Sequence, residues 1–138
     1  GGNNFNGASL KIQGGQHTLS GSNTFNNLTF NPSNSQTLKF TAGTTQTVTT
    51  FTAVGTATIT LTLNSSTAGS AWTLSQASGQ VCCDYLSLKD STATGGASFY
   101  AGANSTNVSG NTGWTFTACP AGGTGVLARC LNLMGVGN

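Results

Sequence analysis

The chain has 138 residues and a formal net charge of +2, and only 4% of its residues are charged. An ordinary soluble domain carries charge on about 25% of its residues, so neutral polar side chains must form most of this surface. The composition therefore excludes a coiled coil, a helical bundle with salt-bridged faces and a basic nucleic-acid-binding domain. The length suits one domain with a buried core.

Apolar residues alternate with threonine or serine in many short runs, which is the pattern of half-buried β-strands. The clearest run spans residues 58–63, where Ile59, Leu61 and Leu63 share one face and threonines the other. In chain order, the other predicted strands cover residues 16–19, 25–30, 36–40, 48–51, 72–74, 80–82, 86–88 and 97–100. No segment before residue 120 has a helical period, so we predict an all-β fold.

The predicted strands recur at a nearly constant interval. One series of strand starts lies 20, 21 and 23 residues apart, and in a second series between them Phe30, Phe51 and Trp72 lie 21 residues apart. Polar turns rich in Ser, Thr, Asn and Gly separate the strands. This regularity predicts a parallel β-helix, a solenoid of about four coils with about two strands in each coil. In that register Leu38 lies over Leu61, and Phe51 lies over Trp72.

We assign residues 1–117 to the β-solenoid domain and residues 118–138 to a C-terminal cap or assembly tail. A β-sandwich or jelly roll is the alternative, because its strands also alternate and its turns recur at short intervals. No apolar stretch approaches the roughly 18 residues needed to cross a bilayer, so we expect no membrane insertion. The start of the chain lacks the features of a signal peptide, and we expect a processed chain or a piece of a longer one.

The most apolar run of the chain lies in this predicted tail. We expect it either to cover the last coil or to dock on a neighbouring subunit, because a solenoid with few charges has little to keep it monomeric. The candidate assembly residues are Val126, Leu127, Leu131, Leu133 and Met134. The expected partners are therefore further copies of the chain or neighbouring structural subunits.

Four cysteines allow three sets of disulfide pairs. Cys82 and Cys83 are adjacent, so on a strand one points to the core and the other outward. Cys119 and Cys130 bracket a flexible Gly-rich loop, and we predict that they bond to each other or that one of them ties the tail to Cys82 or Cys83. Four reduced cysteines acting as small hydrophobes are the alternative. The spacings lack the Cys-x-x-Cys pair of a zinc site, and we expect neither a metal nor another cofactor.

The ionisable residues offer little for catalysis. The chain has no glutamate, and its only carboxylates belong to Asp84 and Asp90. Along an extended strand they lie about 20 Å apart, too far for either glycosidase mechanism. We expect Asp90 to cap a turn, and Asp84 to point outward or to pair with Lys89. The single histidine, His17, has no acidic neighbour, so we predict no catalytic residues.

Exposed aromatic side chains can stack on sugars, and neutral amide and hydroxyl groups beside them can hydrogen-bond sugar hydroxyls. Tyr85, Tyr100 and Trp114 are the main candidates for such stacking, with Trp72 as a further one. In the alternative interpretation, Trp72 and Phe99 fill the coil and Trp114 caps its end.

Several segments also resemble known repeats. They are residues 25–30 (FNNLTF), 43–48 (GTTQTV), 84–91 (DYLSLKDS), 95–102 (GGASFYAG) and 110–114 (GNTGW). Together they resemble the β-helical repeat modules of bacterial surface adhesins and of phage virion appendage and decoration proteins, over about residues 3–117. The resemblance implies a non-enzymatic structural or attachment role at an extracellular or virion surface, with no shared catalytic set.

Two alternative functions stand against this structural role. A carbohydrate-binding module of an adhesin would use the surface aromatic residues and bind surface glycans. A polysaccharide-cleaving β-helix would need Asp84 or Asp90 as its acid or base.

Overall fold

A computed structural model describes residues 4–120 of the chain, which form strands joined by turns and loops. The ten strands are β1 (Asn4–Leu19), β2 (Asn23–Phe40), β3 (Thr45–Ala53), β4 (Leu61–Ser65), β5 (Trp72–Gln76), β6 (Gln80–Cys82), β7 (Leu86–Lys89), β8 (Ser91–Thr94), β9 (Ser98–Tyr100) and β10 (Thr106–Ser109). Every pairing between these strands is parallel. The predicted all-β solenoid of about four coils is confirmed. A sandwich of antiparallel sheets is excluded.

The later coils contain three strands rather than the two predicted. The first sheet stacks the beginning of β2, then β3, β5 and β8. The second sheet pairs β6 with β9. The third sheet stacks the end of β2, then β4, β7 and β10. β1 pairs in parallel with β2 along most of its length, and the pairing contains two register shifts.

The register of the third sheet differs from the one that the sequence spacing predicts. Leu38 lies beside Leu63, not beside Leu61. A small turn closed by an antiparallel bridge between Thr56 and Ile59 precedes β4, so this strand begins later than the alternation alone suggests. The prediction that Leu38 lies over Leu61 is therefore wrong by two residues, which keeps both leucines on the inner face.

The predicted contact of Phe51 with Trp72 is also wrong. Phe51 pairs with Leu28 on the preceding coil, whereas Trp72 begins β5 in the first sheet. The cause is that β3 is long enough to run through two sheets. Its first residues pair with β5, and just past its end Val54 bridges Asp84 beyond β6.

The core is a stack of inward side chains in register. Leu38, Leu63 and Leu88 occupy successive rungs of the third sheet and are fully buried. Phe40 stacks on Trp72 with their ring centroids 3.6 Å apart, and Trp72 has no exposed surface. Burying one large apolar side chain stabilises a fold by about 1.5–3 kcal/mol relative to leaving it in water. These ladders hold the coils together and leave the alternate residues on the outer surface.

Close approach between coils demands glycine at one turn. Gly95 lies between β8 and β9 with a φ of 103°, and a Cβ added there would collide with the backbone of Gln76 on the preceding coil. Gly43 also has a positive φ, of 75°, but a Cβ there would meet open space. The pair therefore separates the effect of the backbone angle from that of the close approach.

We expect Gly95→Ala to lower the free energy of unfolding by about 3 kcal/mol or more, because it adds a backbone collision to the left-handed strain. Gly43→Ala should lower it by only about 1–2 kcal/mol, because the strain acts alone. Urea denaturation followed by circular dichroism measures both. Equal losses would show that the close approach at residue 95 contributes nothing.

Candidate functional site

A disulfide joins Cys82 to Cys119, with their Cα atoms 5.5 Å apart. This confirms that a C-terminal cysteine is tied to the β6 region, and it excludes both a Cys119–Cys130 bond and four reduced cysteines. Cys83 belongs to the buried apolar cluster, as the alternation of neighbouring strand residues predicts. Cys130 lies outside the described residues.

The disulfide fastens a segment that returns along the outside of the second sheet. Tyr100 pairs with Cys82, and Thr115 bridges Tyr100 on the next rung. Rungs of a sheet are about 4.8 Å apart, so Thr115 lies about two rungs from Cys82. Residues 116–119 must therefore run back across the coils to bring Cys119 beside Cys82.

Trp114 caps the last described coil. Its ring meets Phe99 edge to face, with centroids 5.4 Å apart, and its indole N–H donates to the Ser91 hydroxyl at 3.0 Å. The ring is half-buried and packs against the core cluster. The capping interpretation of Trp114 and the core interpretation of Trp72 and Phe99 therefore agree with their packing.

The two tyrosines proposed to stack on sugars are half-buried and lie on different coils. Tyr100 is on β9 in the second sheet, beside the disulfide-bonded Cys82. Tyr85 lies one coil earlier, at the corner before β7, where its φ is 55°. Trp114 lies after β10, directly following the bend at Gly113. The three aromatic candidates thus occupy successive levels near the C-terminal end of the described solenoid.

Asp84 connects two coils. Its carboxylate accepts hydrogen bonds from the backbone N–H and the side-chain amide of Asn104, both at 2.9 Å, and from the backbone N–H of Tyr85 at 3.0 Å. Asn104 is 20 residues further along the chain. The expected contact with Lys89 does not form, because the carboxylate points to the next coil.

Asp90 connects to the preceding coil. Its side chain is buried, with 4% exposed, and one carboxylate oxygen accepts a hydrogen bond from the backbone N–H of Gly69 at 3.0 Å. The predicted turn-capping role is confirmed, although the capped turn belongs to the neighbouring coil. Both carboxylates of the chain therefore brace adjacent coils.

We expect Asp90→Ala to lower the free energy of unfolding by about 2–4 kcal/mol. The change leaves the Gly69 N–H without its acceptor and puts alanine at a φ of 51°. Asp90→Asn should lose about half as much or less, because asparagine keeps an acceptor oxygen and tolerates this backbone angle. Urea denaturation of both variants checks the difference. Equal losses would assign the effect to the negative charge instead.

His17 is exposed, and its Nε2 lies 2.6 Å from the carbonyl oxygen of Gly14. A shallow cleft of about 250 Å³ opens beside it on the third sheet. The cleft is lined by Gln16, His17, Thr18, Thr37 and Lys39. Sequence analysis did not identify this cleft because its lining comes from two coils that meet only in the folded chain.

The first sheet carries two columns of hydroxyl side chains on its outer surface, which we call the hydroxyl array. One column is Thr45, Thr73, Thr92 and Thr112, and the other is Thr24, Thr47, Ser75 and Thr94. Within each column, neighbours are 19 to 28 residues apart in the chain. The signal in the sequence is a Thr-x-Thr or Thr-x-Ser pattern in three strands, which sequence analysis missed because the strands align only once the register is known.

Within residues 4–120, no group of three or more His, Cys, Asp or Glu side chains is arranged to hold a metal ion. The same part of the chain contains no helix with the length and apolar character of a membrane span. The predicted assembly residues Val126, Leu127, Leu131, Leu133 and Met134 lie outside the described residues, so the tail remains a prediction.

Comparison with known proteins finds no matching family model, and no curated protein or solved structure with significant similarity. The solenoid itself is consistent with a β-helical module, whereas the comparisons bring no evidence for an adhesin or a phage protein.

Proposed function

We propose that this chain is a non-enzymatic structural or attachment module at an exterior surface, such as a virion appendage or decoration protein. The main support for the proposal is that the side chains able to do chemistry, the aspartates and two of the cysteines, instead link separate parts of the solenoid to each other. Asp84 and Asp90 each accept a backbone hydrogen bond from a neighbouring coil. Cys82 and Cys119 form a disulfide. Disulfides persist mainly in oxidising compartments, which supports an extracellular or virion-surface location.

The mechanism is assembly rather than chemistry. Parallel ladders and inward stacks make a rigid body whose shape does not depend on surface charge. The ends of a solenoid present open sheet edges, and such edges pair readily with another chain. Copies of the module or neighbouring subunits would join there or through the apolar tail.

Immunogold labelling of intact, unpermeabilised source particles or cells tests the location. Antibodies raised against the whole chain should label the outer surface, and the native assembly should contain several copies of the chain by mass determination with and without reductant. Labelling that appears only after lysis would contradict the proposal.

A carbohydrate-binding module is the second candidate, favoured by the partly exposed rings of Tyr85 and Tyr100. A glycan array probed with the whole chain separates the two functions, because a purely structural module retains no sugar. Binding that is lost in Tyr100→Ala but kept in Tyr85→Ala would place the sugar on the second sheet. Absence of binding to every sugar would remove this candidate.

A further inference from the structure

We propose that the hydroxyl array of the first sheet binds ice. This inference is independent of the structural role proposed above, since it concerns one outer face and not the location or assembly of the chain. It depends on four features of that face: its spacing, its free hydroxyl groups, its rigidity and its lack of charge.

The spacing is regular in two directions. Along a column, Thr45, Thr73 and Thr92 lie on successive rungs, which are about 4.8 Å apart in a β-sheet. Along a strand, Thr45 and Thr47 are separated by one inward residue, which places them about 6.6 Å apart. These two repeats are close to the oxygen repeats on faces of hexagonal ice. Each of β3, β5 and β8 contributes a pair of hydroxyl residues, and Thr24 and Thr112 extend one column each. Together they form a small two-dimensional lattice.

The hydroxyl groups of the array are not used by the protein. None of the eight makes a hydrogen bond to another group within residues 4–120. Hydroxyl groups elsewhere in the solenoid do form hydrogen bonds within the protein. Ser65 donates to the carbonyl of Ser70, and Ser105 donates to the carbonyl of Ala101. The array therefore presents its hydroxyls, and the methyl groups of its threonines, to water.

The array is also held rigidly. Threonine is β-branched and has a restricted χ1 angle, so its hydroxyl and methyl groups keep fixed positions on a strand. The inward residues between the array positions, Gln46 and Leu74, are fully buried and pair with each other across β3 and β5. A surface that is already ordered loses little conformational entropy when it binds a crystal.

The lack of lysine side chains on the outer face of the first sheet favours an uncharged crystal surface as its binding partner. No lysine lies on the outer face of the first sheet: Lys11 pairs with Thr29, near the second sheet, while Lys39 and Lys89 point outward from the third. On the third sheet one outer column also consists of hydroxyl residues, Thr37, Thr62, Ser87 and Thr106, but the neighbouring outer positions are Lys39, Asn64 and Lys89, so charged groups prevent a two-column hydroxyl lattice there. A charged group orders water around itself, whereas neutral hydroxyl and methyl groups can adopt the order of an ice face.

Ice recrystallisation in frozen solutions of the whole chain tests the proposal, together with the shape of single ice crystals grown in its presence. The wild-type chain should inhibit recrystallisation and facet the crystals. Thr73→Lys, at the centre of the array, should raise the concentration needed for inhibition by about tenfold or more. The matched control is Thr62→Lys, because Thr62 is also half-exposed on a central strand but belongs to the third sheet. It should stay within about twofold of the wild type.

Thr47→Lys serves as a second variant at an exposed array position, in case Thr73→Lys does not fold. Circular dichroism confirms folding of each variant. Three outcomes would overturn the proposal: no inhibition by the wild-type chain, equal inhibition by the array variants and the control, or self-association of the wild-type chain that the array variants abolish without any effect on ice. The last outcome would identify a second copy as the occupant of this face.

Discussion

Replacing Trp72 with alanine should lower the free energy of unfolding by about 3–5 kcal/mol, because it opens a cavity at an aromatic stack in the core. Trp72 is fully buried and its ring stacks on Phe40 at a centroid distance of 3.6 Å. Phe40 belongs to the third sheet and Trp72 to the first, so their contact joins two sheets. Losing this contact should therefore destabilise the whole solenoid. Urea denaturation followed by far-ultraviolet circular dichroism measures it without relying on tryptophan fluorescence.

Two further variants make this prediction sharper. Trp72→Phe should cost less than Trp72→Ala, since it keeps an aromatic ring and also removes a buried indole N–H that has no hydrogen-bond partner in the described residues. Trp114→Ala should also cost less, because Trp114 is only half-buried at the end of the stack. A loss in Trp72→Ala no greater than that in Trp114→Ala would show that the contact with Phe40 contributes little.

The double change Cys82→Ser with Cys119→Ser should lower the free energy of unfolding by about 2–4 kcal/mol. The bond spans 37 residues of sequence, so it removes much of the freedom of the unfolded chain. It also holds the returning segment, residues 116–119, against the second sheet. Urea denaturation of the oxidised wild-type chain and of the double variant gives the difference.

Reductant provides the matched control for the disulfide. Adding it should bring the wild-type chain to the stability of the double variant, while the double variant should respond little. If the oxidised wild-type chain and the double variant unfold at the same urea concentration, the bond does not stabilise the native solenoid and serves only to position the tail.

Much of the architecture could be predicted from local patterns. The alternation in residues 58–63 predicts a strand with Leu61 and Leu63 inward, and both are buried. The adjacency of Cys82 and Cys83 predicts opposite orientations: Cys83 packs in the core cluster, whereas Cys82 is bonded to Cys119, and both are buried. These predictions succeed because the two-residue period of a strand is a property of the backbone itself.

The candidate sites could be predicted less well. The role of Asp90 as a cap follows from its residue type, but its partner Gly69 lies 21 residues away on another coil. The same is true of Asp84 and Asn104, and of the hydroxyl array. Each contact depends on the number of residues in the turn before the next strand. Adding one or two residues to that turn shifts the register of the strand and changes every residue it pairs with.

Sequence alone determined that this chain is all-β with a neutral polar surface, and it favoured a solenoid over a sandwich, because side-chain alternation and the near-regular spacing of turns can be recognised along the chain. Only the tertiary structure decided that the coils have three sheets, that Leu38 meets Leu63, that Cys82 bonds to Cys119 and that eight hydroxyls align on one face. The physical reason is that parallel strands pair through residues 18 to 28 apart in the chain, and their register is set by the packing of the whole stack rather than by any segment of it.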